Sequence, residues 1–186
     1  IYVMQRAADK AARRLQRDFG EVENLQPSRK GPADFVTVAD HRTQALLYEE
    51  LMHARPDYGF IGEESEPDPR DINWIVDPID GTTNFIHGIP HFCISIAVED
   101  RGQIVAGLVH DPIKQEVFWA SKGGGAFCNQ RRLRVSSRSH LMDCVIATGC
   151  PLAGYGQPAP FLKRLNQIMG KVAGIRQFGS AALDLC

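Results

Sequence analysis

Apolar residues recur at helical spacing at the start of the chain. Met4, Ala8, Ala11, Ala12, Leu15 and Phe19 form one stripe with Arg and Lys between them, and this period predicts an amphipathic helix stopped by Gly20. A second stripe of Ala39, Thr43, Leu46, Leu47, Leu51 and Ala54 predicts a helix after Thr37 that ends before Pro56. Residues 26–36 lie between the two and read as a loop. The pattern then shortens. Gly59–Gly62 and Asn73–Val76 are apolar and partly β-branched, and Cys93–Val98, Ile104–His110 and Glu116–Ala120 follow as further strands. The links Asp100-Arg101-Gly102 and Asp111-Pro112-Ile113-Lys114 are too short for crossover helices, so they predict antiparallel hairpins. Gly123-Gly124-Gly125 leads into a small hairpin between Phe127 and Leu133, and Val145–Thr148 reads as one more strand. Pro158–Val172 predicts a helix with Phe161, Leu162, Leu165, Ile168 and Met169 turned inward, and Ser180–Cys186 reads as the first turns of another. Helices at both ends of a mostly antiparallel strand block imply a layered α+β architecture.

Composition narrows the class. The chain has 186 residues, 44% hydrophobic and 23% charged, which suits one globular domain over residues 1–186 and excludes a disordered, collagen-like or disulfide-dense chain. Lys and Arg number 21 against 22 Asp and Glu, so a net charge of -1 gives no whole-chain attraction to nucleic acid or to an anionic membrane. No apolar run approaches the roughly 18–20 residues of a membrane span. The opening residues lack a signal-peptide pattern, and the start at Ile1 rather than Met points to a cut N-terminus. Five cysteines are spaced too widely for a Cys-x-x-Cys site, so reduced thiols in a cytoplasmic protein are expected.

The strongest chemical signal is Asp77-Pro78-Ile79-Asp80-Gly81-Thr82-Thr83-Asn84-Phe85, directly after the strand at 73–76. Pro78 fixes one backbone angle and removes a donor, so a turn is expected there. Such a turn would bring Asp77, the Ile79 carbonyl and Asp80 to one point, as hard oxygen donors suited to magnesium. Gly81-Thr82-Thr83 then reads as a helix N-terminus whose amides face an anion, phosphate above all. The plainer reading is an Asp-Pro turn followed by a Thr-capped helix.

A second acidic cluster, Gly62-Glu63-Glu64-Ser65-Glu66, also follows a strand. Alone it reads as an exposed acidic loop. If the two strands are neighbours, however, Glu63 reaches a metal held by Asp77, and two acidic strand ends suit metal-assisted phosphoryl transfer. In Asp34-Phe35-Val36-Thr37-Val38-Ala39-Asp40, Thr37 and Asp40 have capping-box spacing, and Asp40 is equally placed to polarise a Thr hydroxyl. Lys30 would lie near a phosphate or simply in solvent. His87, His91 and His110 read as structural.

These residues resemble the inositol monophosphatase family. The resemblance rests on Gly62-Glu63-Glu64-Ser65, the nine residues Asp77–Phe85, the order Asp34…Thr37…Asp40, Gly-Gly-Gly-Ala-Phe-Cys-Asn at 123–129 and Gly179-Ser180-Ala181-Ala182-Leu183, over nearly the whole chain. It implies an αβαβα fold of the inositol monophosphatase and fructose bisphosphatase type and a homodimer. It also implies lithium-sensitive, magnesium-dependent hydrolysis of inositol monophosphate or a related sugar or polyol phosphate, by direct attack of a metal-activated water. By the same resemblance Glu63, Asp77 and the Ile79 carbonyl hold a first cation, and Asp77 and Asp80 reach a second, with two or three magnesium ions per site. Thr82 with Asp40 orients the water, helped by Glu63. The Gly81 and Thr82 amides hold phosphate, and Gly179, Ser180 and Ala181 border the sugar ring.

One departure stands out. The family's later Trp-Asp signature is absent, since Trp74 precedes Ile75 and Trp119 precedes Ala120. The chain ends inside an expected helix at Cys186. A missing C-terminal part, an incomplete second cation site and poor hydrolysis by these 186 residues are therefore expected. Histidinol phosphate and adenosine 3′,5′-bisphosphate are alternative substrates within the same superfamily. A different class is a non-catalytic, RNA-associated regulatory factor acting with the transcription machinery, for which Arg131, Arg132, Arg134 and Arg138 form a local basic stretch, otherwise a solvated hairpin face.

Overall fold

The computed structural model describes residues 1–21, 28–29, 35–36, 38–151 and 156–186. Helix α1 (Tyr2–Gly20) buries Met4, Ala7, Ala8, Ala11, Ala12 and Leu15, and this mostly small face packs on α2 (Val38–Ala54) through buried Ala39, Thr43, Leu47 and Leu51. In the segment expected to be a loop, β1 (Ser28–Arg29) and β2 (Phe35–Val36) form a two-residue antiparallel ladder. Lys30, Asp34 and the expected cap Thr37 lie outside the described residues.

Among the described residues, seven strands make one sheet in chain order. They are β3 (Gly59–Gly62), β4 (Ile72–Asp80), β5 (Cys93–Asp100), β6 (Gln103–Asp111), β7 (Glu116–Ser121), β8 (Gly125–Cys128) and β9 (Arg131–Arg132). The pairs from β4 onward are antiparallel, as the short links at 100–102 and 111–114 predict for β5, β6 and β7, while β3 runs parallel to β4.

Strand side chains alternate between faces, and the cross-strand register sorts them. Val76, Ile96 and Leu108 stand opposite one another on the face that meets α1 and α2. Phe19, Phe85 and Phe92 join that core, with ring centroids 5.0–5.6 Å apart. They tie α3 (Thr82–Ile86) and the start of β5 beneath α1. The other face carries the row Asp77, Ser95, Val109 and Phe118 and beside it the row Ala97, Gly107, Ala120 and Ala126. A cavity of about 270 Å³ on that face is bordered by Leu185 and Cys186, just after α5 (Ala181–Asp184). The layered α+β expectation holds. No helix among the described residues is long and apolar enough to cross a membrane.

Two local expectations are corrected. Pro78 does not turn the chain: β4 continues to Asp80, and the irregularity is a bulge in which Asp77 pairs with Ser95 and Asp80 with Cys93. Pro78 lacks a donor, so the ladder skips it rather than ending. The helix expected over Pro158–Val172 stops at Ile168 as α4, and its apolar stripe does not turn inward. Leu162, Ile168 and Met169 are exposed, because neither α4 nor the separate parallel pair β10 (Val145–Ala147) and β11 (Gly174–Arg176) joins the buried core cluster.

The contrast between the two helices is measurable. Leu47→Ala, in the core, should cost about 2–5 kcal/mol, and Leu162→Ala no more than about 0.5 kcal/mol. Urea unfolding midpoints of the two variants check both values.

Candidate active site

The site begins with the register of β3 on β4. Gly62 lies opposite Val76, and the Glu63 N–H donates to the Val76 carbonyl at 3.2 Å. The next residues along the two parallel strands are Glu63 and Asp77, so two carboxylates leave the same end of the sheet side by side. Gln44, buried on α2, shapes this turn by accepting the Glu64 N–H at 2.8 Å. A Cβ on Gly62 would come within 2.5 Å of the Gln44 Oε1, which is why the acidic pair is preceded by glycine. Glu64 itself turns aside, its carboxylate 3.6 Å from the His41 imidazole.

The bulge brings the third carboxylate. Three residues along an unbroken strand Asp80 would face away from Asp77, whereas the extra residue returns it to the same face, opposite Cys93. The electrostatic consequence falls on Asp77. Its half-buried position, then the charges of Glu63 and Asp80 and a hydrogen bond with the Glu63 side chain, push its pKa up to about 8 against the opposing hydrogen bond from the Ile79 N–H at 3.1 Å. Glu63, Asp77 and Asp80 are therefore brought together as expected. Among the described residues, no three His, Cys, Asp or Glu side chains close on one point as a finished metal cage. The donor set still fits a hard cation in kind: three carboxylates and the Ile79 carbonyl, with a charge repulsion that a divalent ion would relieve.

Around this corner the remaining expected residues take definite places. The Thr82 hydroxyl donates to the Ile79 carbonyl at 2.9 Å. Gly81 sits at φ 99°, where a Cβ would approach the Gly179 and His91 carbonyl oxygens at 3.2 Å, and it opens the five-residue α3. The first amides of that turn have no partner within the helix. Asp40 is buried in the first turn of α2. Gly179 and Ala181 are exposed beside the corner, and Ser180 between them is buried.

Three contributors were not foreseen. Ser180 was expected to offer its backbone to a sugar ring, but its side chain donates to the Asp80 Oδ2 at 2.7 Å. Asn84, within the nine-residue motif, donates through Nδ2 to the carbonyls of His91 and Phe178, both at 2.7 Å. Cys93 lies 3.7 Å from the Asp80 Oδ2. Asn84 and Ser180 both lie in stretches that carry the resemblance, but their side-chain roles, like the approach of Cys93, depend on pairings that the local sequence does not reveal.

Comparison with known proteins adds an independent line. A family model described as the inositol monophosphatase family matches residues 1–186. The inositol-1-monophosphatase of Rhizobium meliloti is 55% identical over 188 residues, covering all of this chain and 71% of the relative. The Nus factor SuhB of Vibrio cholerae is 39% identical over 184 residues, covering 97% of this chain and 69% of the relative. The crystal structure of the extragenic suppressor protein suhB from Bartonella henselae superposes with a TM-score of 0.94 at 54% identity, over 99% of this chain and 72% of that one.

The shift on Asp77 has a direct consequence for stability. The carboxyl titrates near 3.8 when unfolded and near 8 when folded, so the native state binds the extra proton between these values. Stability must then fall as pH rises through this window. In the presence of a chelator, Asp77→Asn should melt higher than the wild type at about pH 8 and lose less on going from about pH 5 to pH 8. Thermal unfolding at both pH values tests this, and parallel pH dependence in the two proteins would refute it.

Proposed function

The chain belongs to the inositol monophosphatase family, and from that premise we propose that it hydrolyses a phosphomonoester of inositol or a related small polyol. The convergence of Glu63, Asp77 and Asp80 at the paired ends of β3 and β4, through their register and the bulge, is the observation that carries this reading. These three carboxylates and the Ile79 carbonyl would hold magnesium. When bound, magnesium supplies positive charge that activates water and offsets charge on the phosphoryl oxygens.

The chain's own groups do the rest. The Gly81 and Thr82 amides, at the open first turn of α3, donate to phosphoryl oxygens. Thr82, already donating to Ile79, keeps its hydroxyl lone pairs for the attacking water, with Asp40 and Glu63 as the nearby acids of this reading. Gly179 and Ala181 border the polyol. A covalent cysteine route is disfavoured, because burial pushes the Cys93 thiol well above its usual range and keeps it protonated.

The test is phosphate release by the full-length protein from inositol 1-phosphate, histidinol phosphate and adenosine 3′,5′-bisphosphate, with magnesium and with or without lithium. Asp77→Asn and Glu63→Gln should each lower the rate on the preferred substrate on the order of 10³-fold. Rates within about tenfold of wild type would mean that these carboxylates do not hold the cation.

The relatives named Nus factor SuhB favour a second reading, contact with RNA through the exposed Arg131, Arg132 and Arg134. Such binding should weaken steeply with salt and be lost in the triple Ala variant. RNA retention by that variant in a filter assay would dismiss it.

A further inference from the structure

This inference rests on the reading of Glu63, Asp77 and Asp80 as a cation site and deepens it. Asp80 differs from the other two carboxylates in how it is held. Its Oδ2 accepts the Ser180 hydroxyl and the Ala182 backbone N–H, each at 2.7 Å. The Cys93 sulfur approaches the same oxygen at 3.7 Å and lies 3.5 Å from the Ser180 hydroxyl. Ser180 is fully buried. All these contacts fall on one oxygen, and the two short ones come from a segment about a hundred residues away in the chain.

That segment is itself anchored. Asn84 Nδ2 bridges the carbonyls of His91 and Phe178, and the His91 ring lies 5.3 Å from the Phe178 ring. Asn84 sits two residues beyond Thr82, so one short helix both opens onto the carboxylate corner and clamps the segment that grips Asp80.

We propose that Ser180 is a positioning residue for the cation site. Its hydroxyl, with the Ala182 amide, occupies the Asp80 Oδ2, fixes the carboxylate plane and leaves Oδ1 as the oxygen offered toward Asp77 and Glu63. Magnesium takes single oxygens in a tight octahedral shell, so a carboxylate restricted to one available oxygen suits it better than one free to chelate with both. Removing a partner that orients a ligating carboxylate lowers metal affinity by about 10–100-fold. If the contact merely caps α5, its loss alters stability and leaves magnesium affinity alone.

The experiment is calorimetric titration of magnesium into the metal-stripped chain, comparing wild type, Ser180→Thr, Ser180→Val and Asp77→Asn. Thr and Val share a shape and differ in the hydroxyl, so any cost of the added bulk is common to both. Ser180→Thr should bind magnesium within about threefold of wild type and Ser180→Val about tenfold more weakly or worse. Should Ser180→Val fail to unfold cooperatively, Ser180→Ala, which only removes an atom, takes its place under the same criterion. Equal magnesium affinity with and without the hydroxyl, alongside a large loss in Asp77→Asn, overturns the role of Ser180 and leaves the cation reading intact. Unchanged affinity in Asp77→Asn removes the cation reading and this inference together.

Discussion

Parallel pairing of β3 with β4 in the register that sets Gly62 opposite Val76 is the constraint from which the site follows. In that register the next residue on each strand is acidic. Burial first, and then the neighbouring charges of Glu63 and Asp80, disfavour an ionised Asp77. Asp77 responds by holding its proton far above the ordinary carboxylate range. A purely structural corner gains nothing from this arrangement, whereas a bound cation would turn the same crowding of carboxylates into affinity.

The bulge at Pro78 does for Asp80 what the register does for Glu63. A proline in a paired strand removes one ladder hydrogen bond, and here the lost bond is absorbed by an extra residue. The parity of the strand shifts, and two aspartates three residues apart come to share a face. The spacing Asp-Pro-Ile-Asp is thus geometric as much as chemical: without the bulge the second Asp would enter the core beside Val76 and Ile96. Ile79 takes the core position instead and is almost fully buried.

Much of this was legible in the residues. Periodicity located α1 and α2 and their buried faces, short links forecast the hairpins from β5 to β7, and the acidic strand ends pointed to the candidate site. What escaped depends on partners far along the chain. The amphipathic pattern of α4 shows that an apolar face exists, but not whether anything covers it; Leu162 and Met169 are exposed. Pro78 alone suggests a turn because its missing donor is a local fact, while the pairing of Asp80 with Cys93 that carries the strand onward is not. The resemblance assigns Ser180 only a backbone contact with the sugar ring. Its bond to Asp80 becomes visible only when residues about a hundred apart are brought together.

The two faces of the sheet divide the work. Toward α1 and α2 the large side chains Trp74, Ile94, Ile96 and Leu108 are packed and dry, and the Phe19, Phe85 and Phe92 rings lock α3 to that core. Toward the opposite side the strands present Asp77, Ser95, Ala97 and Gly107, small or charged groups that leave room. Rigidity on one face is what allows strain on the other: the carboxylates cannot relax apart without shifting strands whose backs are embedded in the core. Natural sequences tend to break local rules of stability where function requires it and to compensate elsewhere. Here the compensation lies directly behind the site, one strand thickness away.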